Sequence, residues 1–134
     1  MYYGRYLELP MNNKHLIEDF WIIMATNDFY AASNLLHDDY TLEWPQSGER
    51  IRGRHNFALI NTYYPAQGKW TFRINHIIAE GDTVFSDVTV SDGKRHDRCI
   101  TISTVRDEKI WKQIEFWPEP FPAPVWRSQW VERM

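Results

Sequence analysis

Residues 69–117 read KWTFRINHIIAEGDTVFSDVTVSDGKRHDRCITISTVRDEKIWKQIEFW, and their dominant period is two. Alternation of this kind marks strands with one covered face, and β-branched and aromatic residues fill it. Glu80-Gly81-Asp82, Ser91-Asp92-Gly93 and Asp107-Glu108 interrupt the pattern, which divides it into strands at 69–79, 83–91, 95–106 and 109–117. Turns this short join antiparallel neighbours, so the stretch predicts a four-strand meander.

Toward the N-terminus the period changes to that of a helix. Asn12 or Asn13 is placed to cap a helix reaching about Asn27, with Leu16, Ile17, Phe20, Ile23 and Met24 on one apolar face. Asn27-Asp28 ends it and opens a second helix, about 28–36. His37-Asp38-Asp39 reads as a turn, residues 39–44 as a strand, and Pro45 to Gly48 as its break. A third helix, about 54–64, follows Gly53 and stops at Pro65. Helices segregated from a run of strands define an α+β class. Pro-rich residues 118–134 cannot extend the sheet; Val125, Trp126 and Trp130 predict a tail that docks on the body.

The chain's 134 residues fit one domain. A net charge of −3 argues against a nucleic-acid partner, which needs a clustered positive surface. Arg50, Arg52 and Arg54 form one local basic stripe, either solvated or an anion seat at the helix that Gly53 opens. FWIIMA at 20–25 is too short to span a bilayer, and the polar opening residues give no signal peptide, so a cytoplasmic setting is expected. The lone Cys99 excludes an internal disulfide. The five histidines lack ligand spacing, so no metal site is expected, although His76 and His96 lie on strands from which one could reach a pocket. Aromatics make up 16% of the chain, more than a core of this size needs, and the excess points to a pocket or an interface.

HDDYTLEWP at 37–45, GERIRGR at 48–54, AEGDTV at 79–84 and EFWPEPF at 115–121 occur in an order and spacing that resemble the nuclear transport factor 2-like superfamily, in its SnoaL-like polyketide cyclase branch. The resemblance covers about residues 12–118. It implies a cystatin-like cone, in which N-terminal helices pack into a strongly curved, mostly antiparallel sheet whose open end is a ligand pocket. It also implies a homodimer through the outer sheet face. Ketosteroid isomerase belongs to that superfamily, but its catalytic set does not carry over. Trp44 stands where its general-base Asp would be, and Phe20 where its oxyanion-binding Tyr would be. Leu36 and Asn61 replace two supporting Tyr, and Thr101 or Ile100 its protonated Asp. A phenyl ring cannot hold an oxyanion, nor an indole take a proton.

The same resemblance turns Trp111, Gln113, Glu115 and Trp117 inward, with Phe85, Asp87 and Thr89 on one strand and Asp97, Cys99, Thr101 and Ser103 on the next. Asp87 and Glu115 then share a concave wall, where a carboxyl among aromatic rings is suited to proton transfer near neutral pH. These two are the candidate catalytic residues. Phe20, Trp44, Asn61, Phe85, Thr101, Gln113 and Trp117 are the candidate ligand contacts. The implied function is a cofactor-free cyclase or isomerase acting on an apolar carbonyl or polyketide-like compound. A non-catalytic pocket and a dimeric interaction domain remain as alternatives. With the opposite parity, Ile100, Ile102, Ile114 and Phe116 would fill the interior and the acids would face out. An Asp-Arg-Asp set like that of limonene epoxide hydrolase would have to come from Asp87, Arg98 and Asp97, and Arg98 has the wrong parity.

Overall fold

The computed structural model describes residues 12–134. Helix α1 runs Asn13–Met24, and the Asn12 side chain accepts from the His15 N–H as its cap. Leu16, Ile17, Phe20, Trp21 and Met24 are its buried stripe. Asn27, at φ 63°, turns the chain in the left-handed region, and Asp28 caps α2 (Phe29–Ser33) through the Ala31 N–H.

The second helix is shorter than its pattern predicts, and the strand after it starts earlier. Leu36 is fully buried as the first residue of β1 (Leu36–Trp44), so His37-Asp38-Asp39 is strand and not turn. A further strand, β2 (Glu49–Arg52), returns beside β1 through the Trp44–Gly48 turn. Its four residues are too few to show a period. Helix α3 (Arg54–Tyr63) follows Gly53, whose φ of 90° favours glycine. The arginine stripe is ion-paired at two positions, Arg50 to Glu43 at 2.7 Å and Arg54 to Asp38 at 3.0 Å.

Strands β3 (Thr71–Glu80), β4 (Thr83–Ser91), β5 (His96–Arg106) and β6 (Lys109–Phe116) form the meander. The six-stranded sheet has the order β2-β1-β6-β5-β4-β3, with β1 parallel to β6 and every other pair antiparallel. The sheet wraps α1, and three register shifts, at Ile74/His76, at Thr104/Val105 and, between β1 and β6, at Leu36/Thr41, mark irregularities in its ladder. At the second shift Trp111 is the extra residue. Ile110 therefore turns inward, and the Trp111 ring leaves the inner row to stack with Arg106 at 4.7 Å and Lys112 at 4.3 Å.

The inner face carries an apolar set, Val84, Val88, Val90, Leu42 and Val105, and a polar set, Ser86, Thr101, Ser103 and Gln113. Small side chains there let α1 lie close, and the Trp21 Nε1 donates to Ser86 Oγ at 3.3 Å. The Tyr40 hydroxyl donates to Gln113 Oε1, and Gln113 Nε2 donates to Ser103. Among the described residues no buried side-chain polar atom lacks a partner. The tail departs from expectation: its 3-10 helix, Val125–Trp130, buries no residue.

Candidate functional site

Between the helices and the inner sheet face lies a cavity of about 570 Å³, open at one end. Phe20, Phe29, Phe57, Trp70 and Phe72 form its apolar walls. Trp44, Trp117 and Glu115 line it from the ends of β1 and β6. Two of these tryptophans are fixed through their backbones by side-chain amides. Asn27 accepts from the Trp70 N–H at 2.9 Å and donates to its carbonyl at 2.8 Å. Gln46 accepts from the Trp117 N–H at 2.5 Å and donates to its carbonyl at 3.1 Å. Each amide reproduces the pairing a neighbouring strand would give where no strand is available.

Glu115 is only 8% exposed and stands opposite Thr101 on the inner face. Its Oε1 accepts from Trp44 Nε1 at 3.0 Å and from Trp117 Nε1 at 3.1 Å, and its Oε2 accepts from Thr101 Oγ1 at 3.1 Å. Indole N–H groups only donate, so Oε1 acts as an acceptor and the carboxylate is oriented from two sides. Among the described residues no Lys, Arg or His forms an ion pair with it. Its charge is felt nearby: burial, and then Glu115, push the Tyr40 phenol and the Cys99 thiol up. Both stay protonated at neutral pH, which removes Cys99 as a nucleophile.

Asp87 and Phe85 are not in this site. Asp87 pairs with Ile100, and Ile100 with Phe116, all on the outer face; Glu115, Thr101 and Ser86 share the inner one. The inner positions of β4 are Val84, Ser86, Val88 and Val90, one residue out of step with the parity the resemblance implies. Arg98 donates from Nε and Nη2 to the two Asp87 oxygens, both at 2.6 Å, while His76 Nδ1 lies 3.2 Å and Asn75 Nδ2 3.3 Å away. The Arg98 hydrogen bonds hold this carboxyl well below the usual carboxylate range, so Asp87 is a fixed anion outside the cavity.

The remaining candidates divide. Phe20, Trp44, Asn61 and Trp117 line the cavity. Thr101 and Gln113 face inward but lie behind the wall, where Thr101 holds Glu115 and Gln113 is spent on Tyr40 and Ser103. Asn61 Nδ2 donates to the Phe57 carbonyl at 2.9 Å, leaving its amide oxygen for a ligand. His76 is on the outer face with Asp87. Sequence reasoning passed over the Gln46 clamp and the mouth pair, Arg95 to Asp97 at 2.6 Å. Only the Trp-Pro-Gln turn after β1 hinted at the first. With Asp97 bound to Arg95 and Asp87 to Arg98 across the sheet, no Asp-Arg-Asp set forms in the cavity. No group of three or more metal-ligating side chains occurs among the described residues. No helix there is long and apolar enough to cross a membrane.

A curved six-stranded sheet wrapped on helices, with an apolar cavity inside, defines the class of nuclear transport factor 2-like, ketosteroid isomerase-like folds. Within that class, the chain belongs to the SnoaL-like domain family, whose model matches residues 17–113. It is similar to a candidate ketosteroid isomerase from Kribbella flavida, with 26% identity, 91% of this chain and 89% of that one covered, and a TM-score of 0.84. It is also similar to an NTF2-like protein of unknown function from Burkholderia xenovorans, at 30% identity over 91% and 94% of the two chains, TM-score 0.75. An epoxide hydrolase of Mycobacterium tuberculosis resembling limonene epoxide hydrolase shares the fold at 21% identity, covering 79% and 82%, TM-score 0.65. No curated protein gives a match.

Proposed function

We propose that the chain takes a small, largely apolar carbonyl compound, cyclic or polyketide-like, into the cavity, and that Glu115 transfers a proton on it without a cofactor. One observation carries this reading: a carboxylate sits on an aromatic wall, aimed by two indoles and a threonine, and no cation among the described residues pairs with it. Such a base removes a proton from the carbon beside the carbonyl, and the C–H electron pair moves to the carbonyl oxygen as an enolate. Where the enolate is conjugated with a neighbouring double bond, return of the proton from Glu115 at the far carbon gives isomerisation. Attack of the enolate carbon on a second carbonyl forms the ring bond, breaks that carbonyl's π bond, and leaves an alkoxide that takes the proton back from Glu115. Asn61 and the mouth residues supply the polar contacts that orient the compound.

The test is deuterium uptake at the α-carbon of a panel of enolisable ketones in D2O, followed by NMR, with wild type and E115Q. Acceleration is expected with wild type and not with E115Q, while both still bind, as read by tryptophan quenching. Ligands that bind wild type but exchange no faster would leave a non-catalytic binding pocket. That second reading has its own observation: Asp87, the acid expected to work with Glu115, is on the outer face. For partners, we read the outer sheet face as a homodimer surface and no nucleic acid as a ligand. The unpaired, buried Cys99 fits a cytoplasmic setting.

A further inference from the structure

Two apolar surfaces of this chain have no partner among the described residues. The first is a row across the outer sheet face. Ile78, Phe85, Ile102 and Ile114 are successive cross-strand neighbours on β3, β4, β5 and β6. Ile78 is 65% exposed and Phe85 40%, and among the described residues no helix covers this face. The second surface is the tail, in which Trp126 is 72% and Trp130 71% exposed, with Phe121 open as well. Aromatic side chains left in water on both surfaces are a cost that covering would recover.

The form of the tail explains why it does not fold back. Pro118, Pro120, Pro122 and Pro124 remove every second N–H, so the segment cannot zip onto the edge of its own sheet. An extended proline-rich segment is semi-rigid and advances about 3 Å per residue, so residues 118–124 can carry the 3-10 helix roughly 20 Å from Trp117. A stiff spacer with an aromatic end is suited to reach another body.

We propose that the tail of one copy crosses to a second copy and lays Phe121, Trp126 and Trp130 on the partner's Ile78–Phe85–Ile102–Ile114 row, reciprocally. This rests on the homodimer reading above and adds an exchanged arm to it. The chain itself supplies both complementary surfaces, and the area is sufficient. Aromatic side chains bury about 150–250 Å² each, so two arms and the surface they cover come to on the order of 1,500 Å², the size of a specific interface.

Sedimentation equilibrium of the full chain tests it, using W126D/W130D to disable the arm and F85D to disable the row. All three residues are exposed or partly exposed, circular dichroism checks the fold, and I78D serves for the same row if F85D does not fold. A wild-type dimer is expected, with each variant weakened at least about tenfold. An equimolar mixture of the two variants should recover a heterodimer, because it retains one intact arm on one intact row. If W126D/W130D dimerises like wild type while F85D does not, the arm is overturned and the sheet-face dimer stands. A mixture that stays monomeric also overturns the arm-on-row contact. A monomeric wild type overturns both readings.

Discussion

Asp87 is bound by a guanidinium on two oxygens and faces an imidazole and an amide, so its proton equilibrium is tied to folding. Its carboxyl is held low by the Arg98 bonds, against about 3.9 for an unfolded aspartate. A depressed folded value means that the contribution to stability is present above pH 4 and is lost as pH falls toward the folded value. D87N should therefore cost about 1–2 kcal/mol in urea unfolding at pH 7, and the gap to wild type should begin to shrink below about pH 4 and go on shrinking as pH falls toward the folded value, with much of it still present at pH 3. A gap that stays constant with pH would mean that packing, not charge, accounts for Asp87. Cys99 gives a second residue-scale outcome. It is fully buried, with its thiol pushed up first by burial and then by Glu115, so it should resist a thiol reagent in the native protein. Labelling should proceed only at the rate of unfolding, as the urea dependence of the reaction will show; fast labelling in buffer would contradict that burial.

At the scale of elements, Asn27 joins the end of α1 to the start of β3. It sits at φ 63° and pairs both backbone groups of Trp70. N27G keeps the turn and loses the two Trp70 bonds, together with the longer ones from Nδ2 to the Met24 and Ala25 carbonyls; the Trp70 pair alone should cost about 1–3 kcal/mol at 0.5–1.5 per bond. N27A adds a strained left-handed Cβ worth about 1–2 kcal/mol more. Denaturant midpoints in the order wild type, N27G, N27A check this, and equal midpoints for the two variants would remove the backbone contribution. The elements also show what was legible in the sequence. The alternation of 69–117 located β3 to β6, and the apolar spacing of 13–24 located α1, because both segments are long enough to show a period. Glu49–Arg52 is not, and Leu36 fitted either a helix or a strand. Face was harder to read than element. On β4, Val84, Val88 and Val90 outnumber Phe85 and mark the interior, so the misplacement of Asp87 was avoidable. On β5 the same counting rule fails: Ile100 and Ile102 point outward, while Cys99, Thr101 and Ser103 leave room for α1 and a donor for Glu115. The family resemblance turns β5 and the Gln113–Glu115 end of β6 the way the structure does, but it also turns Trp111 inward and sets β4 one residue out, so the Asp87 it pairs with Glu115 lies on the opposite face of the sheet.

For the whole molecule the consequence is an interior only partly filled by its own side chains. Rings facing the cavity lack dispersion partners on one side, so a ligand that fits gains contacts the folded chain cannot make alone. Anything that binds the folded state alone stabilises it by mass action, about 2.7 kcal/mol at a hundredfold excess over Kd. For a domain of this size that corresponds to a rise in Tm of about 6–12 °C. An apolar ketone that quenches tryptophan fluorescence should produce such a rise in wild type and in E115Q, because the walls supply most of the contact and the role proposed for the carboxylate is in the chemistry. N61W, which extends an indole from a cavity-lining position of α3 into the space, should lose most of the ligand-induced rise while remaining folded. A rise undiminished in N61W would put the ligand outside this cavity, and the assignment of Glu115 would fall with it.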